Sequence, residues 1–166
     1  MLVPEQLTAE HEGSAFTCGV PAMDEWLRTQ ALPAQKKGTG RTWVLTEEGD
    51  SARTVVAYYT LSAHVIQREE LTAKLGRGMP AQLPAVLMGR LALDTSRHGG
   101  GLGAQVLAEA VARVVSWSEQ VGARFLVVDA LDEQVAAFYE HHGFTRVPTT
   151  QSLRLVLRIK PELLES

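Results

Sequence analysis

Apolar residues recur along this chain with two different periods, and the switches between them mark out its elements. Over residues 21–31, Met23, Trp26, Leu27 and Ala31 fall three or four positions apart, which predicts an amphipathic helix opened by Pro21. Pro33 and the Gly38-Thr39-Gly40 run predict its exit and a loop. Residues 41–46 alternate, and 54–62 are rich in β-branched and aromatic side chains, so they read as two strands of a hairpin turning at 47–53. Residues 69–75 read as a short helix, and 76–84, with Pro80 and Pro84, as loop.

The near-continuous apolar run over 85–93 predicts a central strand buried on both faces. From 101 onward Leu102, Val106, Leu107, Val111, Val114 and Val115 share one helical face. Ala104, Ala108 and Ala112 form a stripe of small residues suited to close approach to a sheet. Residues 125–130 read as another buried strand, 135–142 as a helix stopped by Gly143, and 144–147 and 153–159 as closing strands. Residues 1–18 receive no element. Strands and helices in this order predict an α/β (α+β) fold in a single domain over 1–166.

Composition adds little to that picture. With 45% hydrophobic and 21% charged residues in a chain of 166, the protein reads as an ordinary globular domain. No apolar run approaches the length needed to cross a bilayer, and the first residues lack a basic start followed by an apolar block. Cys18 is the sole cysteine, so no internal disulfide can form and a cytoplasmic protein is expected. The net charge of −3 argues against nucleic acid until its distribution is read. No acid lies between Glu25 and Glu47, where Arg28, Lys36, Lys37 and Arg41 occur. None lies between Glu70 and Asp94, where Lys74, Arg77 and Arg90 occur. A nearly neutral total can conceal a positive face, although the same residues would also serve as ordinary solvated surface.

The strongest chemical signal is Gly99, Gly100, Gly101 and Gly103, set between a strand and a helix. The first amides of a helix lack partners and the dipole is positive there, so a glycine-rich start suits a phosphate. A P-loop would follow the glycines with Lys-Ser or Lys-Thr, whereas Gly103 is followed by Ala104-Gln105. A dinucleotide fingerprint fits poorly: five residues separate Leu93 from Gly99, and Asp129 comes late for the acidic position. The stretch His98-Gly99-Gly100-Gly101-Leu102-Gly103 resembles the pyrophosphate loop of the GNAT acetyltransferases, Gln/Arg-x-x-Gly-x-Gly/Ala, with His98 at the first position. Ala136-Ala137-Phe138-Tyr139, followed by Gly143-Phe144, resembles a second signature late in the same family.

That resemblance implies a mixed, mostly antiparallel sheet flanked by helices, with acetyl-CoA in a cleft between two splayed central strands. It assigns cofactor contacts to Leu91, Ala92 and Leu93, to His98, Gly99, Gly100, Gly101, Leu102, Gly103 and Ala104, and to Phe138 and Tyr139. A backbone N–H near 91–93 would meet the oxyanion. Tyr139 would be catalytic, its phenol, with a pKa of about 10, protonating the departing thiolate. The other reading of Tyr139 is a core aromatic beside Phe138. No metal is expected: His141 and His142 are neighbours on a helix and their side chains diverge. No nucleophilic triad is expected either.

A closer resemblance runs over about 16–159, through Phe16-x-Cys18-Gly19, Trp26-Leu27, Arg41-Thr42-Trp43-Val44, Tyr58-Tyr59-x-Leu61-Ser62, Met79-Pro80 and Gly89-Arg90-Leu91-Ala92. It points to the GNAT toxins of bacterial type II toxin–antitoxin pairs. The resemblance implies aminoacyl-tRNA as acceptor, a ribbon–helix–helix antitoxin as protein partner, DNA reached only through that antitoxin, no membrane, and a homodimer. Lys36, Lys37, Arg41, Arg77 and Arg90 are the expected tRNA contacts. An α-amino group with a pKa near 8 is partly neutral already, so the absence of an obvious side-chain base is tolerable. Two alternatives stay open: a GNAT enzyme acting on a small-molecule amine or a protein N-terminus, and a degenerate GNAT domain that only binds a partner.

Overall fold

A strand that the apolar pattern did not announce begins the structure, a computed structural model that describes residues 1–148, 152–160 and 162–163. β1 (Leu2–Gln6) lies antiparallel to β2 (Arg41–Glu47), from Leu2↔Glu47 to Gln6↔Trp43. Leu7 N–H bonds the Thr42 carbonyl and Glu48 N–H bonds that of Met1, so odd-numbered residues of this stretch face β2. Pro4 therefore turns its missing N–H to the open side, the place where an edge strand tolerates proline.

The expected helix over 21–31 is two helices, α1 (Pro21–Thr29) and α2 (Ala31–Lys37). Pro33 does not end the helical region. It sits in the first turn of α2, where an N–H would have no helical partner. The stop comes at Gly38, left-handed at φ 74°, with Thr39 N–H bonded to the Ala34 carbonyl. β3 (Ala57–Gln67) pairs with β2 as the predicted hairpin, Arg41↔Leu61 to Leu45↔Ala57.

The chain resolves into two compact units, residues 1–62 with 89–108, and 63–88 with 109–166. In the first, Leu7, Phe16, Leu27, Ala31, Val44, Val55, Tyr58 and Ala92 form the core around which α1, α2 and the hairpin assemble. In the second, Ile66, Leu71, Leu83, Ala85, Phe125, Val127, Val147 and Val156 do so. There the short helix expected at 69–75 is a 3-10 turn at Arg68–Glu70 followed by α3 (Ala73–Gly76).

β4 (Gln82–Leu93) contributes to both units. It pairs in parallel with β5 (Phe125–Ala130) from Ala85↔Phe125 to Met88↔Val128. Burial on both faces holds only along that ladder; Gly89 is exposed and Arg90 and Leu91 are half-buried. α4 (Leu102–Val121) buries Val106, Leu107, Ala110, Val114 and Val115. The expected alanine stripe is not its contact row: Ala108 is exposed and Ala104 and Ala112 are half-buried, because the i, i+4 row of alanines runs beside the buried face. α5 (Glu133–His141), β6 (Thr145–Arg146) and β7 (Leu153–Arg158) follow, with β7 antiparallel to both β5 and β6. The strands hydrogen-bond in the order β1-β2-β3-β4-β5-β7-β6, the mixed and mostly antiparallel sheet anticipated for an α/β fold. No helix among the described residues is long and apolar enough to cross a membrane.

Leu126, 1% exposed and on the face of β5 opposite Phe125 and Val127, tests the burial of this strand. Leu126→Ala should cost about 2–5 kcal/mol in urea unfolding, whereas Val121→Ala on the exposed end of α4 should stay within about 0.5 kcal/mol.

Candidate active site

The geometry of the site starts from a count of residues along β3 and β4. Arg68 N–H donates to the Ala81 carbonyl at 2.9 Å, and Asp94 N–H donates to that of Val56 at 2.9 Å. Val56 and Arg68 are twelve residues apart, Ala81 and Asp94 thirteen, so β4 carries one extra residue. A Cβ added at Gly89 would lie 3.3 Å from Thr60 Oγ1, which puts Gly89 on the Thr60 face. Arg90 and Ala92 also reach that face, Ala92 packing with Tyr58 and Arg90 lying over Trp26. Gly89 and Arg90 together oppose Thr60. This is a β-bulge, which leaves the ladder locally open and bends the strand just before Leu91, Ala92 and Leu93. A glycine inside a strand was the sequence signal for it.

Beyond the bulge the chain is pinned before it reaches the glycines. Asp94 accepts from Thr17 N–H at 3.0 Å, from Ser96 N–H at 3.1 Å and from Ser96 Oγ at 2.7 Å. Burial alone would raise the Asp94 pKa, but the bonds from Ser96 and Thr17 outweigh it and hold the carboxyl below its usual range. Arg97 pairs with Glu47, and His98 Nε2–H donates to the Leu93 carbonyl at 2.7 Å. The His98 ring thus folds the loop back onto the end of β4. Gly99 and Gly101 are left-handed at φ 85° and 75°, a conformation that L side chains rarely adopt. Side chains built at Gly99, Gly100 and Gly101 would meet nothing within 4 Å, so the head of α4 opens onto unobstructed space. Leu102, Gly103 and Ala104 begin that helix, where the first amides lack intrahelical partners.

Arg90 is not a free surface cation. Its guanidinium lies 3.9 Å from the centre of the Trp26 ring, and Trp26 stacks on Tyr58 at 6.3 Å, whose hydroxyl donates to the Met23 carbonyl at 2.7 Å. Burial pushes the Arg90 pKa down, opposed by Tyr58. This stack was not legible in the sequence, since its members come from α1, β3 and β4. Lys36 and Lys37 are exposed in the last turn of α2, and Arg41 is exposed at the start of β2. Arg77 is exposed just after α3, in the second unit. Burial and the Asp24 carboxylate beside it push the Cys18 thiol up to about 11, away from the reactive thiolate form.

In the second unit Tyr139 lies on α5, 6% exposed. Asp132 caps the helix by accepting from Val135 N–H at 2.9 Å, and Gly143 at φ 94° ends it. The Tyr139 ring sits between Phe138 at 5.4 Å and Phe144 at 5.2 Å. Burial raises its pKa above that of an ordinary phenol, so the hydroxyl stays protonated through the neutral range.

An open sheet with a bulged central strand running into a glycine-rich helix start defines the GNAT class of acetyltransferases. No family model matches the chain. A tRNA-acetylating toxin of Mycobacterium tuberculosis is 32% identical over 157 residues, 95% of this chain and 92% of that protein. The structure of AtaT complexed with acetyl-methionyl-tRNAfMet superimposes with a TM-score of 0.91 at 32% identity, covering 100% of both chains. A tyrosine-to-phenylalanine mutant of AtaT bound to acetyl-CoA and the C-terminus of the antitoxin AtaR gives 0.85 at 31% identity, covering 99% of this chain and 98% of that one. The chain belongs to the family of tRNA-acetylating GNAT toxins.

The Asp94 bonds predict an acid dependence. A carboxyl depressed in the folded state stabilises it above the unfolded pKa of about 3.9, and the contribution is lost as pH falls through the lower folded value. Asp94→Asn should therefore lower the urea midpoint clearly at pH 7 and less at pH 3. An equal gap at both values would remove the carboxylate from the account.

Proposed function

We propose that this chain is a toxin that uses acetyl-CoA to acetylate the α-amino group of aminoacyl-tRNA, blocking translation, as one domain over residues 1–166 in the cytoplasm. The observation that carries the reading is its likeness, end to end, to AtaT complexed with acetyl-methionyl-tRNAfMet. Acetyl-CoA supplies an activated acetyl thioester. The open stretch 99–101 at the head of α4, with Gly99 and Gly101 left-handed, fits its pyrophosphate, with the amides of Leu102, Gly103 and Ala104 as donors. His98 holds the loop in that shape through Leu93. Main-chain groups at Leu91, Ala92 and Leu93, just past the bulge, hold the thioester, and an N–H there supports the carbonyl oxygen as negative charge develops. The neutral amine forms the C–N bond, the C–S bond breaks, and the amine sheds a proton to solvent. Tyr139 gives its hydroxyl proton to the sulfur as that bond breaks and recovers one from water. Burial disfavours phenolate, so the hydroxyl carries the proton that the departing sulfur needs.

Lys36, Lys37 and Arg41, with Arg77 and Arg90, are the residues assigned to the tRNA backbone. Arg90 differs in kind, since Trp26 holds its guanidinium in place. A ribbon–helix–helix antitoxin is the protein partner, DNA is reached only through it, and the toxin is a homodimer.

Removing the hydroxyl alone tests the acid. Tyr139→Phe should retain the fold and acetyl-CoA affinity while turnover falls by about 10²–10⁴-fold; unchanged turnover would return Tyr139 to the core.

The acceptor is tested with labelled acetyl-CoA and charged tRNA, beside uncharged tRNA, free amino acids and peptides. Label is expected on aminoacyl-tRNA alone. Label on free amines or peptide N-termini, with charged tRNA untouched, would make the protein a metabolite or N-terminal acetyltransferase; no label anywhere would indicate a binding domain. Lys36→Ala with Lys37→Ala should weaken tRNA binding and flatten its salt dependence without changing acetyl-CoA affinity.

A further inference from the structure

Between Arg68 and Ala81 the chain leaves the sheet and returns to it, closing a loop at the Arg68–Ala81 backbone bond. Arg68 Nη1 also donates to the Met79 carbonyl at 2.8 Å, and Leu71, Leu75 and Met79 turn inward to the second core. Lys74 and Arg77 are left exposed on its outer side. A further connection ties the loop to the sheet. Arg154 on β7 grips Asp129 on β5 with two bonds of 2.9 Å, from Nε and Nη2, and spends Nη1 on Glu70 Oε1 at 3.2 Å and His64 Nε2 at 3.4 Å. Ser152 Oγ donates to the same Asp129 at 3.1 Å. The other oxygen of Glu70 accepts the Gln67 N–H at 2.7 Å, at the root of the loop. The Asp129–Arg154 pair would be complete without Glu70, so the third contact serves the loop rather than the pair.

We propose that Arg154 is a positioning residue for tRNA: through Glu70 it fixes the 68–81 loop so that Lys74 and Arg77 meet the phosphate backbone at a set place. This rests on the aminoacyl-tRNA reading above. Recognition of a regular array of phosphates needs cations at fixed spacing, and a swinging loop would lose ordering entropy on each encounter.

The test exploits a conflict of signs. Glu70→Gln deletes a negative charge beside a polyanion, so charge alone predicts tighter tRNA binding. It also gives Arg154 an amide in place of a carboxylate while leaving an oxygen for Gln67. Positioning predicts a KM for aminoacyl-tRNA raised about threefold to tenfold, with kcat, acetyl-CoA affinity by calorimetry and melting temperature unchanged. In a protein already carrying Lys74→Ala and Arg77→Ala, the same substitution should add nothing. Arg154→Lys, which keeps the charge but cannot fork to two carboxylates, should raise KM in the same way and guards against a misfolded first variant. A KM unchanged or lowered by Glu70→Gln, while Lys74→Ala with Arg77→Ala raises it, overturns the role of Arg154 alone. A KM indifferent to Lys74 and Arg77 overturns the placement of tRNA on this loop.

Discussion

One extra residue in β4 sets the geometry of the first unit. By opposing Thr60 with both Gly89 and Arg90, the strand changes which of its side chains face the Tyr58 core. Without that change Arg90 and Ala92 would point to the opposite face, because side chains on a strand alternate with a period of two. Trp26 would then lose the cation over its ring, and Tyr58 the small neighbour that lets α1 pack closely. A residue other than glycine at 89 would bring a Cβ to 3.3 Å from the Thr60 hydroxyl, a tight contact that Thr60 would have to relieve by shifting.

The loop after β4 shows how a flexible composition becomes a defined shape. Four glycines in five positions would be a floppy linker in isolation, since each loses more conformational freedom on ordering than any other residue. Here the cost is met on the strand side of the loop. Asp94 gathers three hydrogen bonds, Thr95 N–H reaches the Thr17 carbonyl at 2.8 Å, Arg97 is held by Glu47, and His98 clasps Leu93. The histidine occupying the motif's first position therefore has a structural use of its own. It spends its ring on the Leu93 carbonyl and not on the amides at the head of α4.

Polar side chains are treated in two ways in the second unit. Tyr139 packs between Phe138 and Phe144, and its burial keeps the phenol neutral. Arg154 instead reaches both oxygens of Asp129 and turns Nη1 to Glu70 and His64, so each charge has an opposite partner. The Arg154 bonds to Asp129 hold that carboxyl below its ordinary range, and Asp129 in turn raises the Arg154 pKa. A phenol kept neutral and a carboxylate kept charged are thus given opposite surroundings within one unit.

How much of this was legible before any coordinates follows from the range of the interactions. The strands at 41–46 and 125–130, the helix from 101, the stop at Gly143 and the glycine-rich helix start depend on neighbours within a few residues, and the linear pattern carried them. Motif likeness carried the family, because the glycine loop and the Phe138-Tyr139 segment are local strings. Tertiary pairing decided the rest. β1 is a strand only because β2 lies beside it; its half-covered side chains have no reason to alternate. Pro33 could be taken for an exit until Gln30 was seen to end one helix and lead straight into the next. The bulge appears only when β3 is counted against β4, and the Trp26–Arg90 and Arg154–Glu70 contacts join residues 64 and 84 positions apart. Charge counted along the sequence found the basic residues, but only their three-dimensional partners separate the exposed Lys36 and Lys37 from Arg90, whose guanidinium is held over an indole ring.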